Sequence, residues 1–164
     1  MNQNINHFAI ANLSLQCEVT LPNANIVYKT YGKLTSDRSN VIFYPTSYGA
    51  QHPDIEWLIK PESILDPSQY FIIISNMFGN GLSSSSSNHP DFKLAESGFY
   101  ITHLDNVRAQ KQLLDSLGIE KLALVYGWSM GAQQAYHWGA LFPESVARIA
   151  AICGTAKTTD HNKI

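Results

Sequence analysis

A serine between two glycines is the residue best suited to chemistry in this sequence. Ser129 is the centre of a Gly-x-Ser-x-Gly pattern, with a strand-like apolar run before it and a helix-like run after it. Gly127 and Gly131 lack a Cβ atom, so the chain can turn sharply there and the helix can pack closely against the strand. This order is that of a nucleophile elbow, which exposes a serine hydroxyl at the positive end of a helix. The alternative is a glycine-rich turn whose serine only caps the helix.

A nucleophilic serine also needs two backbone N–H groups that bind the oxyanion formed on the attacked carbonyl. The residue after the nucleophile supplies one of them, so the amide of Met130 is the predicted first donor. The second is expected from the loop after the apolar run 41–44. Its candidates are Thr46 and Ser47.

The serine further needs a histidine as base and an acid that orients the histidine, in the chain order serine, acid, histidine. Only Asp160 and His161 follow the last predicted strand in that order. They are neighbours in sequence, whereas the acid must lie behind the imidazole, so they are substitutes for the pair rather than a good match to it.

The other histidines are expected to have no catalytic role. His52, His89 and His103 fall in loops or at strand ends, where we expect polar residues of the surface or of the site's mouth. His137 is eight residues beyond Ser129 on the predicted helix, too far to touch its hydroxyl. No His or Cys pair has metal-ligand spacing, so no metal site is expected.

Alternating strands and helices must position these groups. Two strands, over residues 13–21 and 26–31, are expected to form an antiparallel pair at a sheet edge. Buried strands are predicted over 41–44, 70–74, 122–126 and 147–153, one helical turn around 53–58, and helices over 106–117 (capped by Asp105) and 129–141. The glycine- and serine-rich stretch 76–90 is either a flexible linker or an active-site loop. The pattern predicts an α/β fold with a mainly parallel sheet and flanking helices.

Composition excludes several classes of protein. The chain has 164 residues, 45% hydrophobic content and a net charge of −2 without a basic cluster, so we expect one domain that binds neither nucleic acid nor an anionic membrane. No apolar stretch reaches the ~20 residues of a membrane span, and the start does not resemble a signal peptide. Cys17 and Cys153 are far apart, which favours two buried thiols in a reducing, cytoplasmic location.

The motifs resemble the homoserine O-acetyltransferase-like branch of the α/β-hydrolase superfamily, and the similarity covers nearly the whole chain in order. Besides the elbow, the matching segments are 28–34 (YKTYGKL), 37–41 (DRSNV), 66–71 (DPSQYF), 75–79 (SNMFG), 105–110 (DNVRAQ), 117–119 (LGI) and 143–146 (PESV). Members of this branch transfer an acyl group through an acyl-serine, usually from acyl-CoA to the hydroxyl of homoserine or a related amino acid, and close relatives hydrolyse esters.

The resemblance implies the following site. Ser129 is the nucleophile, Met130 the first oxyanion donor, and Ser47 or Thr46 the second. The implied partners are a small-molecule acyl donor and acceptor, with acetyl-CoA or another acyl-CoA as a possible cosubstrate and no bound cofactor. Two features depart from the acetyltransferases: Trp128 replaces their usual glycine, and residues 44–49 (YPTSYG) replace a His-Ala-Leu-Thr-Gly-like segment. These departures leave a carboxylic ester hydrolase as the alternative.

The family's chain continues through a helical lid and two further strands that deliver the acid and the histidine. This sequence ends at residues 158–164, about where the lid should begin. We therefore expect residues 1–164 to be one partial α/β-hydrolase domain, without the lid and the last strands and nearly inactive alone. The run 147–153 would be an exposed edge strand that could pair two copies into a homodimer. The alternative from another class is an inactive module that needs a partner or the absent half.

Overall fold

A single six-stranded sheet organises the protein. The structure is a computed structural model, and it describes residues 5–92 and 98–157. The strands are β1 (Ile5–Ser14), β2 (Thr20–Tyr31), β3 (Val41–Pro45), β4 (Phe71–Ser75), β5 (Leu124–Trp128) and β6 (Ile149–Ile152). The helices are α1 (His52–Ile55), α2 (His103–Ser116) and α3 (Met130–Leu141), with 3₁₀ turns at Glu56–Leu58 and Pro143–Ser145.

The sheet has the order β1-β2-β4-β3-β5-β6. Strands β1 and β2 pair antiparallel, as does β2 with β4, and the other neighbours are parallel. The predicted mainly parallel sheet is confirmed, but its antiparallel edge pair is β1 with β2 and not residues 13–21 with 26–31. Because β3, β4 and β5 run in the same direction, their carboxyl ends meet at one edge of the sheet, where sites of α/β proteins form.

The predicted strand over residues 13–21 is wrong. The chain turns back within it: the amide of Leu15 donates to the carbonyl of Val19 at 2.9 Å, and Glu18 has a positive φ of 63°. Leu13 and Leu21 are therefore partners across the antiparallel pair β1–β2. The apolar residues alternate on both sides of a hairpin turn, which looks like one strand in the sequence.

The two faces of the sheet are covered differently. One face carries Phe43, Ile73 and Val125, which pack against the apolar sides of α2 and α3. Trp138 of α3 is fully buried in this cluster. The other carries Ile42, Ile72, Ile74 and Tyr44, which pack with residues of the 50–65 segment. This alternation is the period of two that buried strands impose.

Helix α2 begins three residues before the predicted start. Thr102 is its N-cap, and the Asp105 carboxylate accepts from the Thr102 amide at 2.9 Å, which closes a capping box. The prediction that Asp105 is the cap is wrong, because Asp105 is the third residue of the helix. Its second oxygen accepts from the amide of Gln16 at 2.7 Å and so joins α2 to the β1–β2 turn.

The serine-rich stretch is hydrogen-bonded to strand β2 and is not a flexible linker. Strand β2 pairs with β4 only over residues 28–31, which leaves the amides of Asn25 and Val27 without a strand partner on that side. The hydroxyls of Ser84 and Ser83 accept from these two amides at 2.9 and 3.0 Å. The serines therefore replace a neighbouring strand along this part of β2.

Strand β6 lies at the sheet edge, with Ile149 and Ile152 partly exposed. A homodimer through this edge stays a prediction. Cys17 is half-buried, but Cys153 is exposed, so the expectation of a buried thiol is wrong for Cys153. Within the described ranges, no helix is long and apolar enough to cross a membrane, and no three His, Cys, Asp or Glu side chains are grouped for a metal ion.

Candidate active site

Ser129 occupies a sharp turn between β5 and α3. Its φ of 54° and ψ of −120° are values that a residue with a side chain rarely adopts, and such strain concentrates at functional sites. Two hydrogen bonds hold it: the Ser129 amide donates to the carbonyl of Ile152 at 2.9 Å, and its carbonyl accepts from the amide of Ala132 at 3.0 Å. Strand β6 and helix α3 together therefore fix the serine in a strained conformation.

The Ser129 side chain is exposed and makes no capping hydrogen bond to the first turn of α3. The alternative that this serine serves only as a helix cap therefore lacks its defining contact. The hydroxyl stands at the N-terminus of α3, where the helix dipole favours developing negative charge.

The glycines of the elbow are needed for close packing. A Cβ atom on Gly127 would lie 2.2 Å from the carbonyl oxygen of Gly131, and one on Gly131 would lie 2.7 Å from that of Pro45. A third glycine was not predicted: a Cβ on Gly154 would lie 2.4 Å from the Cβ of Ala132. Glycine at these positions lets α3 approach the ends of β3 and β6.

The two candidates for the second oxyanion donor differ in their hydrogen bonds. The amide of Thr46 donates to the carbonyl of Ser75 at 3.0 Å, as a continuation of the sheet. Thr46 is therefore corrected to a structural residue. The amide of Ser47 has no acceptor among the described residues, so it is the candidate that we retain beside the amide of Met130.

The loop that carries Ser47 is anchored at its far end. The amide of His52 donates to the Asn76 side-chain oxygen at 3.0 Å, and the Gln51 side chain donates to the carbonyl of Asn80 at 2.9 Å. One turn further on, Glu56 pairs with Lys29 at 2.6 Å. The loop is thereby tied to the ends of β2 and β4.

A cleft of about 610 Å³ adjoins the start of α3. It is lined by Tyr48, Gly49, Met77, Phe78, Gly79, Asn80, Ile101, Thr102, His103, Asn106 and Met130. No Asp, Glu, Lys or Arg is among these lining residues. Tyr48, the residue after Ser47, is 83% exposed.

The polar side chains of the cleft are mostly engaged within the protein. The Asn80 amide group donates to the carbonyl of Ala50 and to Asn76, and its oxygen accepts from two backbone amides. The Asn106 oxygen accepts from the amide of Phe78 at 2.9 Å, and its amide group donates to the carbonyl of Thr102. The wall that a ligand would meet is therefore mainly apolar.

A family model of the alpha/beta hydrolase fold matches residues 52–164. The chain belongs to the α/β-hydrolase family. The mainly parallel sheet and its helices agree with the predicted fold class, and the predicted family is confirmed.

This α/β-hydrolase chain is similar to two relatives of stated activity and to one solved structure. It is 45% identical to an ethyl acetate hydrolase of Pseudomonas veronii, over 87% of this chain and 41% of that protein. It is 37% identical to a homoserine O-acetyltransferase of Methanococcus vannielii, over 93% of this chain and 34% of that protein. The solved acetyl esterase MekB superposes with a TM-score of 0.91 at 42% identity, over 97% of this chain and 47% of that one. The chain spans less than half the length of these proteins.

The described histidines of this α/β-hydrolase chain do not form a catalytic pair. His52 is buried, which corrects its predicted surface position, and its Nδ1 lies 3.2 Å from the Asn76 amide nitrogen. His103 lines the cleft and its Nε2 lies 2.9 Å from the Gln133 side-chain oxygen. Burial lowers the pKa of both imidazoles and so favours their neutral forms. Within residues 5–92 and 98–157, no histidine is hydrogen-bonded to a carboxylate or to Ser129.

Asp160 and His161 lie outside the described residues. Their predicted role as substitutes for the acid and the base stays a prediction.

Two buried glutamines of the site region were not predicted. Gln110 and Gln134 are 1% and 0% exposed on the facing sides of α2 and α3. A signal for Gln110 is present in the sequence: it stands three residues after Val107 and four before Leu114, within the apolar stripe of the helix. A polar residue in such a stripe needs a buried hydrogen-bond partner.

Proposed function

We propose that this chain supplies the nucleophile, the oxyanion-binding amides and one wall of the substrate cleft of a serine carboxylic ester hydrolase acting on small uncharged esters. The observation that carries the proposal is the exposed, uncapped hydroxyl of Ser129 on a strained elbow beside an apolar cleft. The identity to an ethyl acetate hydrolase and to an acetyl esterase supports it.

The reaction would proceed through an acyl-serine. The Ser129 hydroxyl loses its proton to a base and attacks the ester carbonyl, and the resulting oxyanion accepts hydrogen bonds from the amides of Met130 and Ser47. Collapse of this intermediate breaks the ester bond, and the alcohol leaves with the proton from the base. Water then attacks the acyl-serine with the same base, which releases the acid and restores Ser129.

We assign the base of this mechanism to a histidine outside residues 1–164. No described histidine is hydrogen-bonded to Ser129, and the partners of their ring nitrogens are amide and carbonyl groups. The 164-residue chain alone is therefore expected to show little or no turnover. Rapid Ser129-dependent turnover by the chain alone would instead favour Asp160 and His161 as acid and base.

The lining of the cleft favours hydrolysis over transfer to an amino acid. Homoserine carries an ammonium and a carboxylate, and acyl-CoA carries phosphates, all of which need charged or multiple polar partners when buried. The described lining has no permanently charged side chain, and its asparagines are already bonded. A short alkyl or acyl group fits such a surface without loss of hydrogen bonds.

Acyl transfer from acyl-CoA to an amino-acid hydroxyl is the second candidate, because a homoserine O-acetyltransferase is among the relatives at 37% identity. It shares the acyl-serine step and differs in the acceptor. A catalytically inactive module that needs a partner is the third, and it makes no use of the strain at Ser129.

One assay separates these candidates. The chain is fused to the C-terminal part of the P. veronii ethyl acetate hydrolase that it does not cover, and hydrolysis of 4-nitrophenyl acetate and ethyl acetate is compared with that of Ser129→Ala. We expect Ser129-dependent hydrolysis of both esters, and no O-acetylhomoserine from acetyl-CoA and homoserine. Faster acetyl transfer to homoserine than to water would contradict the hydrolase proposal, and no Ser129-dependent reaction in a folded fusion would favour the inactive module.

A further inference from the structure

Three buried side chains connect helices α2 and α3 to the loop that carries Ser47. The indole N–H of Trp138 donates to the Gln110 oxygen at 3.0 Å, and the Gln110 amide group donates to the Gln134 oxygen at 2.7 Å. The Gln134 amide group then donates to the backbone carbonyl of Thr46 at 2.9 Å. All four residues are at most 1% exposed, so water does not compete for these bonds.

Trp138 fixes the donor-to-acceptor direction of these three hydrogen bonds. An indole N–H only donates, so the Gln110 side chain must present its oxygen to Trp138 and its amide group to Gln134. The same argument forces Gln134 to present its oxygen to Gln110 and its amide group to Thr46. The donor at the carbonyl of Thr46 is therefore set by Trp138, two side chains away.

The carbonyl of Thr46 and the amide of Ser47 belong to one peptide unit. This unit is planar and trans, so its C=O and N–H point in opposite directions. A hydrogen bond that fixes the direction of the carbonyl therefore fixes the direction of the Ser47 N–H. The remaining polar atoms of Thr46 are also bonded: its amide donates to Ser75, and its hydroxyl accepts from the amide of Met77 at 3.0 Å.

We propose that Gln134 is a positioning residue that orients the Ser47 amide for oxyanion binding. The inference rests on the proposed function, in which Ser47 supplies the second donor. Helix α3 then sets both donors, since Met130 is its first residue and Gln134 lies one turn further on. Oxyanion donors act through their preset direction, so a loosened peptide unit loses transition-state binding more than substrate binding.

The test compares two neighbouring glutamines of α3 in the fused ester hydrolase. Gln134→Met removes the donor to Thr46 and keeps the side-chain length. Gln133→Met is the matched control, since its side chain is bonded to His103 and Thr155 and not to the Ser47 loop. We expect Gln134→Met to lower kcat about 10- to 100-fold, as loss of alignment or of one oxyanion donor does. KM should stay within about threefold, because the interaction develops in the transition state.

Two further readouts separate positioning from stability. Affinity for an alkyl boronic acid, whose oxygen occupies the oxyanion position, should fall by a factor similar to that for kcat, while Gln133→Met leaves it unchanged. Carbonyl ¹³C and amide ¹⁵N resonances of the Thr46–Ser47 peptide should move in Gln134→Met and stay in place in Gln133→Met. Both variants are compared at a temperature where circular dichroism shows them folded.

The outcomes distinguish the two proposals. A folded Gln134→Met variant with unchanged kcat and boronate affinity overturns the positioning role, and so does an unmoved Thr46–Ser47 resonance pair. If the unsubstituted fusion shows no Ser129-dependent turnover, the proposed function fails. In that case the resonances decide whether Gln134 orients the peptide unit.

Discussion

The backbone of Gly131 lies against the carbonyl oxygen of Pro45, so closely that a Cβ atom on the glycine would be only 2.7 Å from that oxygen. Gly131 is in the first turn of α3 and Pro45 is the last residue of β3. This contact places the start of the helix that follows Ser129 beside the loop that begins at Thr46. The two parts of the site come from distant parts of the sequence, and this close approach joins them.

Replacement of Gly131 by alanine should therefore weaken the fold. The added methyl group meets backbone atoms that cannot move independently, and overpacking of this kind typically destabilises by about 1–3 kcal/mol. Gly139→Ala in the same helix is the matched control, because its added methyl group meets only the end of the partly exposed Ile149 side chain. Urea denaturation should show a clear loss for Gly131→Ala and a smaller change for Gly139→Ala. Equal stability of the two variants would refute the packing argument.

Because Ser129 has a strained backbone conformation, we expect removal of its Cβ atom to stabilise the protein. A residue with a Cβ atom at positive φ destabilises the folded state by about 1–3 kcal/mol. Glycine relieves most of this strain, but its greater chain entropy in the unfolded state destabilises the fold by about 0.5–1 kcal/mol. Ser129→Gly should therefore be about 1 kcal/mol more stable than Ser129→Ala, which keeps the Cβ atom. Thermal unfolding of the two variants measures this difference. A less stable glycine variant would show that the elbow is not strained.

The serine-rich stretch predicts unequal effects of two similar substitutions. The buried hydroxyl of Ser83 accepts from the amide of Val27 and donates to the carbonyl of Asn76 at 2.7 Å. Ser83→Ala leaves the Val27 amide buried without a partner, which typically costs about 1–3 kcal/mol. The exposed Ser86 makes no such bond, so Ser86→Ala should change the unfolding free energy by less than about 0.5 kcal/mol. Similar losses in both variants would contradict the role given to Ser83.

Asp66 predicts a pH-dependent contribution to stability. Hydrogen bonds from Ser68, and then from the amide of Glu62, lower the pKa of this carboxyl from 3.8 to about 2. A lowered folded-state pKa means that the unfolded chain binds the proton more readily, so the contribution is present above pH 4 and is lost as pH falls towards 2. The stability difference between the wild type and Asp66→Asn should therefore shrink over this range. Urea titrations at pH 7, 4 and 2.5 measure it, and a difference independent of pH would show that the carboxylate charge is not involved.

The local elements of the fold and of the site could be predicted from the sequence. Short apolar runs predicted β3, β4 and β5 to within two residues, because strands covered on both faces must be continuously apolar. The elbow at Ser129 was predicted from two glycines whose close contacts admit no Cβ atom. Where a pattern had two physical causes, prediction failed: the alternation from Leu13 to Leu21 arises from two strands and their turn.

Contacts between segments that are distant in the sequence could not be predicted from it. The bond from Gln134 to Thr46 joins residues 88 positions apart, and no local pattern specifies it. The choice between Thr46 and Ser47 likewise depends on Ser75, the last residue of the neighbouring strand β4. Burial of His52 follows from its place against Asn76, whereas its sequence context of glutamine and proline is typical of a loop.

The proposed function requires that Ser129 forms an acyl-enzyme. The most direct measurement is mass spectrometry of the fused enzyme, quenched in acid soon after it is mixed with 4-nitrophenyl acetate and then digested. We expect one added acetyl group on the peptide that contains Ser129, present during the release of nitrophenol and absent in Ser129→Ala. An acetyl group on another residue, or nitrophenol release that persists unchanged in Ser129→Ala, would contradict it.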